Sequence, residues 1–297
     1  MAIALFGFWL RWLHVSVMAE TPLYRWPHGD GKVYLKLADA LREGGWTGLL
    51  REGSVDYQAP LYPHLLALFQ ALFGDALSTL RQGQAALGGA SVFLMGLGTS
   101  RLVGARAGLC AAGLLAVFGP SIWLDGLVQK SALTGFLVSS VIALWSFVGR
   151  SESARSSAAM GAAIGLLMLT RGEARLWALG MGAAVWWLGS KDRSSRERVR
   201  QLAGYGAGLA LAITPVFLRN GVCGGDWVLT TSQAGTNLFI GNRAGADGSY
   251  APLVVGRGDA RYEADDARRL AEGAEGRGLT PTEVSRHWRR RAFDDMA

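Results

Sequence analysis

The sequence is poor in the residues that build disulfide frameworks and metal centres. It has two cysteines, Cys110 in an apolar run and Cys223 in a polar region, and four histidines with no pair at helical metal spacing. That composition argues against a disulfide scaffold or a zinc site, and His64 reads as a structural histidine. The Gly- and Asn-rich stretch 235–248 holds neither G-x-x-x-x-G-K-[ST] nor G-x-G-x-x-G, so a nucleotide cradle is not indicated. Charge is scarce too: 18% of residues are charged, and the middle of the chain has long runs with none. The net charge of +7 would suggest nucleic acid in a soluble domain. Here membrane loops account for much of it, and no nucleic-acid partner is expected.

What is abundant is apolar sequence. A bilayer core takes about 20 apolar residues per helix. Uncharged runs at 82–100, 107–124 and 131–149 meet that length. Runs at 156–170, 176–190 and 201–218 meet or approach it with flanking or snorkelling residues. A soluble core explains one such run, but hardly six in succession. The N-terminal run 1–19 carries Arg11 and His14 and is a weaker span. No small-residue cleavage site follows before Glu20, so a retained helix is expected rather than a removed leader.

The expected fold is an all-α polytopic membrane protein with about seven transmembrane helices. They fall at 1–19, 80–100, 106–124, 130–149, 156–171, 174–190 and 201–218. Residues 1–218 form a transmembrane module whose outer loop, 20–79, carries interfacial helices, and 219–297 form a polar outer region. Alternate connections collect Arg101 and Arg106, then Arg150 and Arg155, then Lys191, Arg193, Arg196, Arg198 and Arg200. That bias reads as cytoplasmic and puts the N-terminus inside. The remaining polar segments then share the opposite, extracytoplasmic face of a cell (inner, cytoplasmic) membrane. The better-defined spans carry almost no charge in their middles, which favours an enzyme working at the interface over an ion-coupled carrier.

Several outward residues are candidates for chemistry. In "GDGKVYLKLADALREGG", Tyr34, Leu37, Ala38 and Leu41 share one helical face, and Gly44-Gly45 end the helix. Asp30 precedes its first turn, either as a cap or as a carboxylate held at headgroup depth. In "VDYQAPLYPHLLALFQALFG", Asp56 and Gln58 open a short apolar segment suited to an interfacial or re-entrant helix. Lys130 begins an uncharged run, as a snorkelling residue or as a cation for a phosphate. Arg171, Glu173 and Arg175 crowd one tight turn, as an ion pair or as a phosphate site. In "LTPTEVSRHWRRRA", Thr280, Pro281 and Glu283 stand as cap, first and third residues of a helix running almost to the end.

Four of these segments together resemble bacterial GT-C glycosyltransferases of family 39 type, akin to protein O-mannosyltransferases and the aminoarabinose transferase. "GDGKVYLKLADALREGG" is similar to their D-x-x-x-Y-x-x-x-A-x-x-x-x-x-G pattern after the first helix. "APLYPHLLALFQALFG" is similar to their P-L-Y-P segment, "NLFIGNRAGADGSYAPL" to N-x-x-I-G-N-x-x-x-A-x-G-x-Y, and "LTPTEVSRHWRRRA" to a following helix. The resemblance implies sugar transfer from a polyprenyl phosphate carrier to an acceptor protein, lipid or glycan at the outer face. It maps an essential aspartate onto Asp30. Tyr34, Asp56, Lys130, Arg171, Glu173, Asn237 and Asn242 are the candidate substrate-binding residues. Two departures stand out. Many relatives carry a paired acid where Gly31 follows Asp30, and some place an acid near the start of the fourth span where this chain has Gln129-Lys130. Asp56 and Asp125 are the candidates for a second acidic role. Relatives are usually longer, so an N-terminal portion or a truncated product is expected.

The implied reaction is an inverting displacement with Asp30 as general base and Lys130, Arg171 or a divalent cation at the phosphate. The competing reading is a non-catalytic membrane protein, either a lipid-linked sugar translocator or an assembly scaffold, or an inactive truncated transferase.

Overall fold

The computed structural model describes residues 1–27, 29–45, 55–148, 153–187 and 194–296. Arg150, Lys191 and Arg193, part of the basic side inferred from charge, lie outside the described residues. Among the described residues every regular element is a helix. The N-terminal half holds α1 (Ala2–Met18), α2 (Pro22–Arg25), α3 (Asp30–Gly44), α4 (Leu61–Phe73) and α5 (Leu77–Leu102). Then come α6 (Ala105–Val117), α7 (Gly119–Asp125), α8 (Ser131–Val148), α9 (Ala154–Met168) and α10 (Ala174–Trp187). The chain closes with α11 (Ser195–Val222), α12 (Ala234–Asn242), α13 (Ala260–Glu275) and α14 (Pro281–Met296).

A helix stands at each of the seven apolar runs, but they are not equal. α8 and α11 are long and apolar enough to cross a bilayer, and α6 with α7 adds a third if that pair, bent by 55°, is one span. α11 has 28 residues and is roughly 42 Å long at the α-helical rise, longer than the roughly 30 Å hydrocarbon core. α1, α9 and α10 have 17, 15 and 14 residues. α5 has 26 but dilutes its apolar character with glycine, serine and glutamine.

Packing among these helices depends on small residues. α9 and α11 pair closely through Gly161 and Gly165 on one and Gly204 and Gly208 on the other. A Cβ at Gly208 would lie 1.9 Å from the Ala158 carbonyl, and one at Gly161 would lie 2.0 Å from that of Tyr205. Backbones approach this closely only where side chains vanish, as at small-xxx-small seams between membrane helices.

Arg11, the charge that makes the first run a weaker span, has a structural role. It lies midway along α1, 1% exposed, and its Nε donates to Asp125 Oδ2 at 2.7 Å. Nη1 donates to the carbonyls of Gly7 and Ala116, and Nη2 to the Leu115 carbonyl and Ser121 Oγ. The physical reason lies in the α6–α7 break. α6 stops at Val117, so the carbonyls of its last turn lose their intrahelical donors, and the guanidinium supplies replacements. Gly88 leaves the room: a Cβ there would sit 2.4 Å from both Arg11 Nε and Asp125 Oδ2. Asp125 is thereby committed to this pair.

The elements outside the apolar runs follow local rules. α3 buries Tyr34, Ala38 and Leu41 on one face and ends at Gly44, with Gly45 at φ 65°. α14 opens with a capping box: Glu283 N–H donates to Thr280 Oγ1, and Thr280 N–H to Glu283 Oε2. α12, α13 and α14 enclose a small core of Phe239, Ala267, Ala271, Leu279, Val284, Trp288 and Ala292.

Candidate functional site

Three anchored segments converge at the mouth of the bundle. The first is 55–60, ahead of α4. Asp56, 7% exposed, forms an ion pair with Arg219, its N–H donates to Asn220 Oδ1 at 3.3 Å, and its carbonyl accepts from Ser232 N–H at 3.0 Å. Leu61 N–H donates to the Leu169 carbonyl at 3.1 Å, which ties the start of α4 to the end of α9. Burial pushes the Asp56 carboxyl up to about 6, against the pull of Arg219. His64 fits the same joint. Its Nδ1–H donates to the Pro60 carbonyl at 2.7 Å, its Nε2 faces Arg219 Nη1 at 3.4 Å, and burial lowers its pKa.

The second segment is the turn between α7 and α8. Gln84 Nε2 donates to the carbonyls of Asp125 and Leu127 at 2.9 and 2.6 Å, fixing the backbone just ahead of Lys130.

The third is the first turn of α3. Asp30 is the first helical residue, following Gly29, the N-cap, at φ 54°. Its carboxylate accepts from Gln58 Nε2 at 3.4 Å. The glycine after it has a steric role: a Cβ at Gly31 would lie 2.9 Å from the Val128 carbonyl. The absence of a second acid at 31 is what lets α3 press against the turn carrying Lys130.

Between these segments lies a cavity of about 200 Å³, lined by Asp30, Tyr34, Gln58, Lys130, Gln233, Asn237, Tyr250, Ala260 and Glu263. Burial lowers the Lys130 ammonium below its ordinary value, the Arg171 charge adds to this, and Asp30 and Glu173 pull it back. Burial and then Asp30 raise the Tyr34 phenol well above its ordinary value, so it remains an O–H group. Tyr34 is 0% exposed, yet its hydroxyl has no hydrogen-bond partner among the described residues, and neither does Gln58 Oε1. Both residues belong to the cavity wall, but these two atoms are sealed from solvent and unpartnered among the described residues, an uncommon state for buried polar groups.

The candidates from sequence divide accordingly. Asp30, Tyr34, Lys130 and Asn237 line the cavity. Arg171 and Glu173 act on it through their fields while pairing with each other at 3.4 Å on the surface. Asp56 is engaged by Arg219, and Asn242 is exposed with Nδ2 on the Leu238 carbonyl of its own helix; neither lines the cavity. Sequence reasoning did not single out Gln233, Tyr250 or Glu263. Tyr250 is the closing residue of a motif that was recognised, but nothing local marks Glu263. Among the described residues no three His, Cys, Asp or Glu side chains gather into a metal site.

A second, apolar cleft of about 340 Å³ lies between α4 and α5, lined by residues including Tyr62, Leu66, Phe69, Leu80, Gly83 and Leu87. At Gly83 a Cβ would strike the Phe69 ring at 2.3 Å.

No curated protein matches the chain. The dolichyl-phosphate-mannose-protein mannosyltransferase family matches residues 57–218, more than half of the chain. The matched stretch contains Gln58, Lys130 and the apolar cleft, whereas Asp30 and Glu263 lie on either side of it. On that match the chain belongs to the dolichyl-phosphate-mannose-protein mannosyltransferase family, membrane glycosyltransferases of the GT-C type.

Proposed function

We propose that the protein transfers a sugar from a polyprenyl phosphate carrier to an acceptor hydroxyl or amine on the extracytoplasmic face of the cell membrane. The observation that carries this reading is a carboxylate and an ammonium, Asp30 and Lys130, on one small cavity. A transferase for a phosphate-linked sugar needs this combination: a base for the acceptor and a cation for the leaving group.

The carrier's tail lies in the apolar cleft and its phosphate reaches Lys130, with Arg171 reinforcing the positive field. The acceptor O–H attacks the anomeric carbon while its proton passes to the Asp30 carboxylate. The bond from that carbon to the phosphate oxygen breaks, and the electron pair leaves with polyprenyl phosphate, whose added negative charge Lys130 stabilises. One displacement inverts the anomeric centre. General-base assistance of this kind contributes typically ~10²–10⁴ in rate. In this reading all seven apolar helices cross the membrane, the shorter ones with flanking residues and local thinning, and residues 219–297 stand outside.

The test is to incubate membranes bearing the protein with radiolabelled polyprenyl-phosphate sugars and follow which label leaves the lipid. Transfer of one label to protein, lipid or glycan supports the reading. Retention of every label on its carrier contradicts it.

A further inference from the structure

Asp30, Lys130, Tyr250 and Glu263 share the wall of one cavity. The Asp30 charge acts on both Lys130 and Tyr250; Lys130 also feels Arg171 and Glu173, and Tyr250 also feels Glu263 and Arg243.

Two tyrosine hydroxyls hold the Glu263 carboxylate. Glu263 Oε1 accepts from Tyr57 Oη at 2.8 Å and Oε2 from Tyr250 Oη at 2.9 Å. Burial raises both phenols, and the Glu263 charge raises them further, so both remain donors. A carboxylate offers about four acceptor positions, and the tyrosines take one on each oxygen, leaving the carboxylate clamped with acceptor capacity to spare. Tyr250 and Glu263 both line the cavity. A phosphate, which only accepts at neutral pH, is a poor occupant for a wall carrying Glu263. Sugar hydroxyls each bring an O–H to donate and lone pairs to receive, which suits the spare acceptor positions of Glu263.

We infer that Glu263, held by Tyr57 and Tyr250, forms the subsite for the hydroxyls of the donor's sugar. Helix α13 therefore determines which sugar is accepted. The inference rests on the transferase reading above and deepens it. It assigns a recognition role to a helix outside residues 57–218, the stretch carrying the family match.

The experiment measures equilibrium binding of the purified full chain in lipid nanodiscs to bare polyprenyl phosphate and to a panel of polyprenyl-phosphate hexoses, pentoses and amino sugars. Wild type should prefer at least one sugar-bearing lipid over the bare one. Glu263→Gln should lose about tenfold on that preference, the scale of a hydrogen bond to a charged group, while holding bare polyprenyl phosphate as before. Tyr250→Phe, which keeps the carboxylate but frees one oxygen, should lose less. Equal weakening toward bare and sugar-bearing lipid, with a fall in thermal stability, would mean that Glu263 only latches α13 and would overturn the inference. So would an unchanged preference in Glu263→Gln with a raised KM for the acceptor alone, since the subsite would then be the acceptor's. Wild type that binds no lipid of the set would sink the transferase reading itself.

Discussion

Tyr34 and Tyr62 meet edge to face, ring centroids 5.1 Å apart and planes at 81°, and each belongs to a different chamber. Tyr34 lines the polar cavity beside Asp30, and Tyr62 lines the apolar cleft between α4 and α5. The Tyr62 hydroxyl is bonded to Gln84, whose amide holds the turn leading to Lys130. The pair is therefore a partition between a greasy compartment and a charged one, and a lipid-linked phosphate has to be bound across such a boundary.

The two tyrosines differ in what removal of a hydroxyl should do. Tyr34 Oη is buried without a partner among the described residues, a situation that costs about 1–3 kcal/mol. Tyr34→Phe should leave thermal stability unchanged or raise it, with little change in KM for the lipid-linked donor. Paired melting curves and donor titrations check this; a destabilised variant would contradict it.

Gly31 gives a steric prediction. Its Cβ position lies 2.9 Å from the Val128 carbonyl, so Gly31→Ala must push α3 away from the Lys130 turn. Displacements of about 1 Å at a reacting centre cost ~10² in rate. Expression and membrane insertion should be normal, and transfer should fall about a hundredfold in a turnover assay.

Lys130 sets the alkaline side of the pH profile. Burial, with Arg171, holds its ammonium below the ordinary lysine value of 10.5. The cation is the protonated form, present below its pKa and lost as pH rises through it. Turnover should therefore decline at a pH lower than 10.5, and Lys130→Arg should move that limb upward. Pre-steady-state rates across the alkaline range read this directly.

The Arg11–Asp125 pair predicts stability rather than catalysis. Removing one partner of a buried ion pair costs roughly 3–5 kcal/mol. Arg11→Met should pay that penalty, because Asp125 and the carbonyls of Leu115 and Ala116 lose their donor. In the double variant Arg11→Met/Asp125→Leu the buried charge disappears but the two carbonyls remain unpaired, so only part of the loss should return. Denaturant titrations in detergent separate the three proteins.

What could be seen in the sequence was what is encoded locally. The helix at each apolar run, the Tyr34–Ala38–Leu41 face of α3 and the capping box at Thr280 all follow from neighbours within a few residues. The partner of Arg11 is 114 residues away, so the arginine looked like a flaw in a span rather than a brace for the α6–α7 break. The paired glycines 161/165 and 204/208 were visible as spacings, but their meaning appears only when α9 and α11 touch. In the site, the motif positions gave Asp30, Tyr34 and Asn237. Glu263 was hidden because its relation to Asp30 depends on how α13 is carried back to the bundle by Tyr57. Asp56, which spacing could not distinguish from a site residue, is held by Arg219 on the far end of α11.

The most direct measurement compares wild type and Asp30→Asn in a single-turnover assay with the donor lipid that wild type accepts. The variant should bind that lipid with unchanged Kd and transfer its sugar about 10²–10⁴ more slowly. Transfer at the wild-type rate would remove the carboxylate from the chemistry and the account with it.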